Sequence, residues 1–444
     1  MNDFMSSLIA TDYLDHQASQ RTKPSLTAHT RTRLNQAFQT VRQRTEMFAA
    51  RFSAEDQNIQ SMADASPLKW HRAHTSWFFE TFLLKPYLKG YASPDPLFAH
   101  LFNSYYNGVG TQYPRAQRHL ISRPDCDAVG RYREHVDAAI ADLVSGFSAD
   151  ELERIAPLVI LGLNHEQQHQ ELMVTDIKHG LSFNPSAPSW ATRAQHQQQA
   201  TPSRWIEFSG GLHQFGSADH GFAFDNEGPR HASFVHPFAL ATRPVSCGDY
   251  LAFIDDDGYS RPELWLSDGW AWCRGQESKA PLYWRKDNQN WYHYTAAGMV
   301  EVSPSAPVCH LNFYEACAFA QWSDARLPSE YEWELVAATQ RAAGHFSDRE
   351  LFQPTAAQTD EPELAQLYGD VWEWTTSSYA PYPGFKPANG AVGEYNGKFM
   401  ANQMVLRGGS CATPADHIRA TYRNFFYPAD RWQFSGIRLA RNLT

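Results

Sequence analysis

Apolar residues recur at helical spacing along the first 180 residues, in segments that proline and glycine separate. Three of these segments are predicted to be helices, running near Thr27 to Arg51, from Pro67 to just before Pro86, and from Asp125 to Ser145. A fourth begins at the capping-box pattern Ser148-x-x-Glu151, and Gly180 is expected to end it. Pro157 inside that segment is expected to kink or restart the helix. Four amphipathic segments of this kind predict an up-and-down bundle over residues 25–183.

The pattern changes after residue 183. Residues 184–203 are rich in proline and glutamine, as in Gln195 to Pro202, and predict a linker. Beyond it, short alternating stretches such as Trp205 to Phe215 are separated by glycine turns, and one amphipathic helix is predicted from Asn312 through Trp322. The fold class predicted is therefore a helical bundle followed by an irregular α+β domain over residues 204–444.

Composition narrows the possible partners. A chain of 444 residues with 43% hydrophobic and 14% aromatic residues is expected to be globular, with two domains. The formal net charge of -10 argues against a nucleic-acid backbone or an anionic membrane as the partner. Met1 to Gln17 contain no long apolar run, so we expect neither a signal peptide nor a membrane span, and a cytoplasmic protein.

Two histidines one helical turn apart are the first indication of a functional site. His165 and His169 lie roughly 40° apart around a helix, so both rings project from one side, as in a metal site. Such a pair also occurs on polar helix surfaces, and the chain has 19 histidines. Glu171 lies about 240° from His165, on the far side of the helix, so a third ligand must come from another segment.

The helix after Pro67 offers two candidates for that ligand. Helical spacing alone does not choose between His71 and His74. We favour His74, because it is flanked by small residues and shares a side with Trp70 and Trp77 in the stripe expected to face the core.

The second domain resembles the formylglycine-generating-enzyme (sulfatase-modifying factor) fold, a variant of the C-type-lectin fold. The resemblance rests on five segments: Phe208 to Gly216, Pro307 to Ala316, Arg326 to Trp333, Gly369 to Trp374 and Leu406 to Ser410. Most residues in them have structural roles, and we expect Arg326 and Glu330 to form a buried pair. These segments therefore indicate the fold and not the chemistry.

A DinB-like bundle joined to such a domain resembles the ergothioneine-biosynthesis sulfoxide synthases, the EgtB family. The segments that carry the resemblance are Ser66 to Glu80, Phe102 to Tyr106, His165 to Leu172 and Asn402 to Thr413. It implies a non-haem iron(II) enzyme, with His74, His165 and His169 as ligands, that uses dioxygen to join a cysteine-type sulfur to the imidazole C2 of hercynine. Three imidazoles leave coordination positions for thiolate, dioxygen and the substrate imidazole.

The resemblance also implies roles for other residues. A phenol near the metal is a plausible proton donor, and Tyr105 and Tyr106 match the tyrosine positions of the cysteine-using branch. Arg115, with Arg118 as a second candidate, would bind the carboxylate of the thiol substrate. Hercynine would be held by three positions: Asn424 on its carboxylate, Phe425 beside it, and Gln168 on its imidazole.

The thiol substrate is predicted from one difference between this sequence and one branch of the family. The branch that uses γ-glutamylcysteine has Arg-Asn-Trp-Asp where this chain has Arg423-Asn424-Phe425-Phe426, so free cysteine is the preferred substrate and Phe426 is placed in the pocket. The alternatives are a 5-histidylcysteine sulfoxide synthase, a selenium-coupling synthase, a formylglycine-generating enzyme and a non-enzymatic lectin-like binding protein. Of these, the lectin-like protein has no use for three converging histidines.

Overall fold

The computed structural model of the protein describes residues 23–194, 202–218, 221–277, 279–357 and 364–443, with the side chains of residues 23–29 left aside. The chain forms two compact units. The first reaches Leu181 and also contains Asp219–Phe224 and Pro387–Tyr395, two segments of the part of the sequence predicted to be the second domain. The second unit contains the remainder. The amino-terminal segment Met1 to Gln17 and residues 195–201 of the predicted linker lie outside the described residues.

The first unit is helical, as predicted. Within residues 23–182 the structure places four long helices, α1 Lys23–Ala49, α2 Leu68–Phe79, α3 Cys126–Gly146 and α4 Ala149–Ser182. Shorter helical turns connect them, at Asp56–Asn58, Glu80–Leu84, Lys85–Tyr87, Phe98–Leu101 and Arg115–Leu120.

The start of α4 follows the predicted capping box. The Ser148 amide donates to Glu151 Oε2 at 2.8 Å, and the Glu151 amide donates to Ser148 Oγ at 3.4 Å. Pro157 lies inside the helix, which continues through it as one element. Gly180 does not end the helix, which runs on to Ser182. Its role is close packing, because a Cβ at Gly180 would lie 2.5 Å from Ile59 Cγ2.

Helix α2 differs from its prediction in two respects. The helical run does not stop before Pro86, since a π-helical stretch over Glu80–Leu84, in which the Lys85 amide donates to the Glu80 carbonyl, leads into Lys85–Tyr87. The helix is also buried on all sides and not only along one stripe. Its cationic residues have partners there, as Lys69 Nζ donates to the Ile121 carbonyl at 2.8 Å.

A buried carboxylate ties α4 to two other helices. Glu166 is fully buried and accepts from Arg42 Nη1 of α1 at 2.9 Å and from Arg133 Nη2 of α3 at 2.8 Å. Thr45 Oγ1 donates to the same carboxylate at 2.6 Å. Burial alone would raise the pKa of Glu166, but the two arginines bring it down to about 2. The carboxylate is therefore charged, and it holds the helix that carries His165.

We expect Glu166→Ala to lower the free energy of unfolding by about 3–5 kcal/mol, because it leaves Arg42 and Arg133 buried without their shared anion. Urea denaturation followed by circular dichroism measures this. Glu263→Ala is the control, since it removes only the exposed ion pair with Arg261 and should change little. Equal midpoints for the two variants would contradict the role of Glu166.

The second unit contains the strands. In chain order they are β1 Trp205–Phe208, β2 Gly211–Phe215, β3 His231–Val235, β4 Phe238–Ala241, β5 Trp284–Asp287, β6 Asn290–Thr295, β7 Gly298–Glu301, β8 Trp372–Ser378, β9 Met404–Arg407, β10 Asn424–Phe426, β11 Ser435–Gly436 and β12 Ala440–Asn442. They form small sheets in the described residues, with strand orders β1-β4-β12, β10-β9-β8-β11, β2-β3 and β5-β6-β7. The pairing of β8 with β11 is parallel and that of β8 with β9 is antiparallel. The predicted order, a helical region followed by an α+β domain, is confirmed.

The α-helices of this unit are short, and side chains cap the amino-terminal ends of three of the four in the described residues. They are α5 Cys247–Asp255, α6 Ser267–Arg274, α7 Phe313–Trp322 and α8 Glu330–Ala337. Helix α7 matches the segment predicted from Asn312, whose side chain caps it by accepting from the Glu315 amide at 2.8 Å.

The predicted pair of Arg326 and Glu330 is wrong. Arg326 pairs with Glu332 at 2.6 Å, while Glu330 accepts from Arg423 Nε at 2.8 Å. The reason is that Glu332 is the N3 residue of α8 and faces back toward the start of the helix, where Arg326 lies. Glu330 is free to pair with an arginine that is distant in the sequence.

Residues 188–191, which precede the undescribed part of the predicted linker, pack on the β6–β7 hairpin. The amides of Trp190 and Ala191 donate to the Ala296 carbonyl at 2.8 and 3.0 Å, and Tyr294 Oη donates to the Pro188 carbonyl at 2.8 Å. Every helix in the described residues is too short or too polar to cross a lipid bilayer.

Candidate metal centre

Three histidines converge inside the helical unit. His165 and His169 project from one side of α4, one turn apart, and His74 reaches them from α2. One ring nitrogen from each lies within 4.8 Å of the others, and Nε2 of His74 is 3.2 Å from Nε2 of His165. Glu171 is not a member of this group. The geometry suits a metal ion bound by three imidazoles.

The protonation of His74 follows from its neighbours. Its Nδ1 lies 2.6 Å from the Phe102 carbonyl, which can only accept, so Nδ1 carries the proton and Nε2 presents a lone pair to the cluster. Burial lowers the pKa of His165 to about 3. Burial, followed by the neighbouring histidines, also lowers the pKa values of His74 and His169 well below 6.5. Neutral imidazoles in a buried group are what a metal requires.

His71, the alternative to His74, is placed outside the trio. Its Nδ1 lies 2.7 Å from Nδ1 of His169, and its Nε2 lies 3.1 Å from Asp176 Oδ2. Both ring nitrogens of His71 therefore have protein partners. The structure brings His74 and not His71 into the group of three.

Aromatic rings enclose the cluster. The Trp70 ring stacks on His74 at 4.6 Å between centroids, and the Trp77 ring lies 5.5 Å from it. The Phe78 ring lies 4.5 Å from that of His165. This apolar surround lowers the local dielectric and strengthens electrostatic interactions at the centre.

The rings of the two tyrosines predicted as proton donors, Tyr105 and Tyr106, pack together beside Trp77. Tyr106 is fully buried, and its ring packs at 5.5 Å on Trp77, which in turn contacts His74. Tyr105 is half-buried and stacks on Tyr106 at 4.6 Å. Burial, and then the neighbouring Tyr105 and Tyr395, raise the pKa of Tyr106 well above 10. Tyr106 is therefore protonated at neutral pH.

Tyr395 is a site residue that sequence reasoning missed. Its ring lies 5.6 Å from that of His165, and its hydroxyl donates to Gln168 Oε1 on α4. Glu394 anchors the segment by accepting from the amides of Asn107 and Gly108 at 3.0 and 2.7 Å. Tyr395 follows a short 3-10 turn without periodicity, so no local pattern marks it.

The two arginines proposed for the thiol carboxylate differ sharply. Arg118 is buried, with its guanidinium carbon 3.4 Å above the centre of the Trp70 ring and Nη1 donating to Ser66 Oγ at 2.8 Å. In the described part of the chain its Nε and Nη2 have no acceptor. Burial, and then Arg115, lower its pKa. Arg115 is exposed and donates to the Asp64 carbonyl. Within the described residues Arg118 is thus a buried cation with two donors that have no acceptor, although the nearby Asp176 offsets part of the fall in its pKa.

The residues predicted to hold hercynine belong partly to each unit. Gln168 lies on α4 and accepts from Tyr395. Asn424, Phe425 and Phe426 form β10 of the second unit, where Phe425 stacks on Tyr379 at 4.0 Å and Phe426 meets Trp432 edge-on at 5.6 Å. Asn424 Oδ1 accepts from the Phe425 amide at 2.9 Å.

Comparison with known proteins adds the family context. Residues 191–361 and 352–443 match the sulfatase-modifying factor enzyme 1-like domain, which confirms the predicted class of the second domain. The hercynine oxygenase of Mycolicibacterium thermoresistibile is 31% identical over 84% of this chain and 87% of its own. The hercynine oxygenase of Mycobacterium tuberculosis is 30% identical over 84% of this chain and 91% of its own. Ergothioneine biosynthesis protein 1 of Schizosaccharomyces pombe is 27% identical over 50% of this chain and 28% of its own.

Proposed function

Because the chain belongs to the hercynine oxygenase family, we propose that it is an iron(II)- and dioxygen-dependent sulfoxide synthase of ergothioneine biosynthesis. It would join the sulfur of cysteine to the imidazole C2 of hercynine. Hercynine, thiol and dioxygen give the sulfoxide and one water, so the reaction balances without a further reductant. The observation that supports this best is the group of three neutral histidines, with His74 and His165 buried and His169 partly buried, whose ring nitrogens lie within 4.8 Å of one another.

The donor set fits iron(II). His74 presents Nε2 because its Nδ1 is bonded to a carbonyl, and His165 has a buried Nδ1 without a partner in the described residues, so its ring is not committed to another protein group at that atom. Bound iron(II) would supply open coordination positions at which thiolate and dioxygen react. Trp70, Trp77 and Phe78 would keep water away from that position.

Arg118 would bind the carboxylate of the thiol substrate. A buried guanidinium with two donors that lack acceptors in the described residues can bind a carboxylate through both, and it packs on the same Trp70 ring that stacks on His74. We expect Arg118→Ala to raise the KM for cysteine by more than about tenfold, since truncating one partner of a buried charge pair costs about 2–5 kcal/mol. Steady-state kinetics with cysteine measure this.

Arg115→Ala is the matched comparison. Its guanidinium is exposed and bonds a backbone carbonyl, so the rise in KM should be smaller. If Arg115→Ala raised the KM more than Arg118→Ala, the assignment of the carboxylate to Arg118 would be wrong.

We propose free cysteine rather than γ-glutamylcysteine as the thiol, because Phe426 stands where the dipeptide-using branch has an acid. The role predicted for Asn424, Phe425 and Gln168 in hercynine binding remains part of the proposal. The test is to load the protein with iron anaerobically, add hercynine and either thiol, admit oxygen, and identify the product by mass spectrometry. Hercynylcysteine sulfoxide is expected with cysteine. A product formed only with histidine or a selenium donor would favour the related synthases. If no product formed with any of these substrates, a non-enzymatic binding protein would be favoured.

A further inference from the structure

His71 is a buried histidine that the reaction leaves without a role. It is 2% exposed and lies between the cluster and a carboxylate, with Nδ1 2.7 Å from His169 Nδ1 and Nε2 3.1 Å from Asp176 Oδ2. Asp176 is itself buried and also accepts from the Ser66 amide at 2.8 Å. His169 and Asp176 are on α4, and His71 comes from α2.

The hydrogen bonds that link Asp176, His71 and His169 allow one consistent placement of the ring protons. The carboxylate of Asp176 accepts, so His71 donates through Nε2 and keeps a lone pair on Nδ1. That lone pair can only accept a proton from Nδ1 of His169. His169 is then left with its lone pair on Nε2, the ring atom that is free to bind a metal.

We propose that His71 and Asp176 are a positioning pair that fixes the tautomer and the ring orientation of His169. The inference rests on the proposed metal site. It assigns to that site two residues that orient one of its ligands, His169. Hydrogen bonds from a ligating histidine to a carboxylate orient the ring and make it a stronger donor, and here a second imidazole transmits that effect. His74 has its own fixed partner, the Phe102 carbonyl at 2.6 Å.

Two substitutions of His71 separate positioning from simple packing. His71→Asn keeps an acceptor oxygen near the place of Nδ1, whereas His71→Leu has similar bulk and no acceptor. Cobalt(II) titration of the full chain, followed by visible absorption, measures metal affinity, and thermal unfolding of the metal-free chain reports stability separately. We expect His71→Leu to weaken cobalt binding by about 10–100-fold and His71→Asn to retain most of the affinity.

Each other result has a defined meaning. Wild-type affinity in His71→Leu would overturn the positioning role, and so would an equal loss of affinity in both variants, because His71 would then act as a ligand or as packing. If His71→Leu does not fold, Asp176→Asn replaces it and should also weaken cobalt binding, with unchanged affinity overturning the inference. His179→Leu is the control on α4, since His179 bonds Ser61 and lies outside the trio, and should leave affinity unchanged. Wild-type protein that binds no metal would instead refute the proposed function.

Discussion

His165→Ala is expected to give a folded chain that binds no iron(II) and forms no sulfoxide. The variant leaves only His74 and His169 of the three histidines proposed as ligands. Iron content after anaerobic loading and desalting measures the first loss, and sulfoxide yield by mass spectrometry measures the second. Circular dichroism shows whether the helices remain.

The control is His135→Ala, which removes an exposed histidine of the same helical unit whose Nε2 bonds the Ala92 carbonyl and whose ring contacts Tyr91. It should load iron like the wild type. If His165→Ala kept both its iron and its activity, the metal would have to lie elsewhere in the protein.

Tyr395→Phe is expected to lower the rate of sulfoxide formation by about 10²–10⁴-fold, the range for loss of a general acid. The ring and its stacking on Phe224 at 5.5 Å are retained, so only the hydroxyl is lost. This hydroxyl bonds Gln168 and its ring lies 5.6 Å from that of His165, so in the proposed reaction it would be the proton donor. Without it we expect cysteine to be oxidised without joining hercynine, which appears as sulfinate in the product analysis.

Tyr105→Phe and Tyr106→Phe test the original sequence prediction. The ring of Tyr106 packs on that of Trp77 and the ring of Tyr105 packs on that of Tyr106, whereas the Tyr395 ring lies 5.6 Å from that of His165, so we expect smaller losses from each. Tyr87→Phe is the control, since that side chain is exposed, and it should not change the product. Loss of the sulfoxide in a Tyr105 or Tyr106 variant, with the sulfoxide retained in Tyr395→Phe, would assign proton donation to Tyr105 or Tyr106 and not to Tyr395.

Local patterns account for what the sequence predicted well. The i, i+4 spacing of His165 and His169 forces both rings to one side of any helix, and the Ser148 capping box sets where that helix begins. His74 is preferred to His71 as the third ligand because its sequence neighbours are small and because it lies on the side of the helix expected to face the core. These features depend on residues within a few positions of one another.

Contacts between distant segments account for what was missed. Tyr395 meets Gln168 across 227 positions, and Glu166 meets Arg42 across 124, so no spacing in the sequence reveals either. Glycine often ends helices, which is why the sequence predicts a helix end at Gly180. In the structure the missing side chain at Gly180 instead leaves room for the side chain of Ile59. The choice between Arg115 and Arg118 as the residue that would bind the thiol carboxylate depends on which of them is buried. The Arg-x-x-Arg spacing does not encode burial.

Anomalous diffraction at the iron edge, from crystals grown anaerobically with iron(II), tests the central claim most directly. We predict one strong peak within coordination distance of ring nitrogens of His74, His165 and His169, with no carboxylate from Glu171. A peak bound by other residues, or protein that takes up no iron under these conditions, would contradict it.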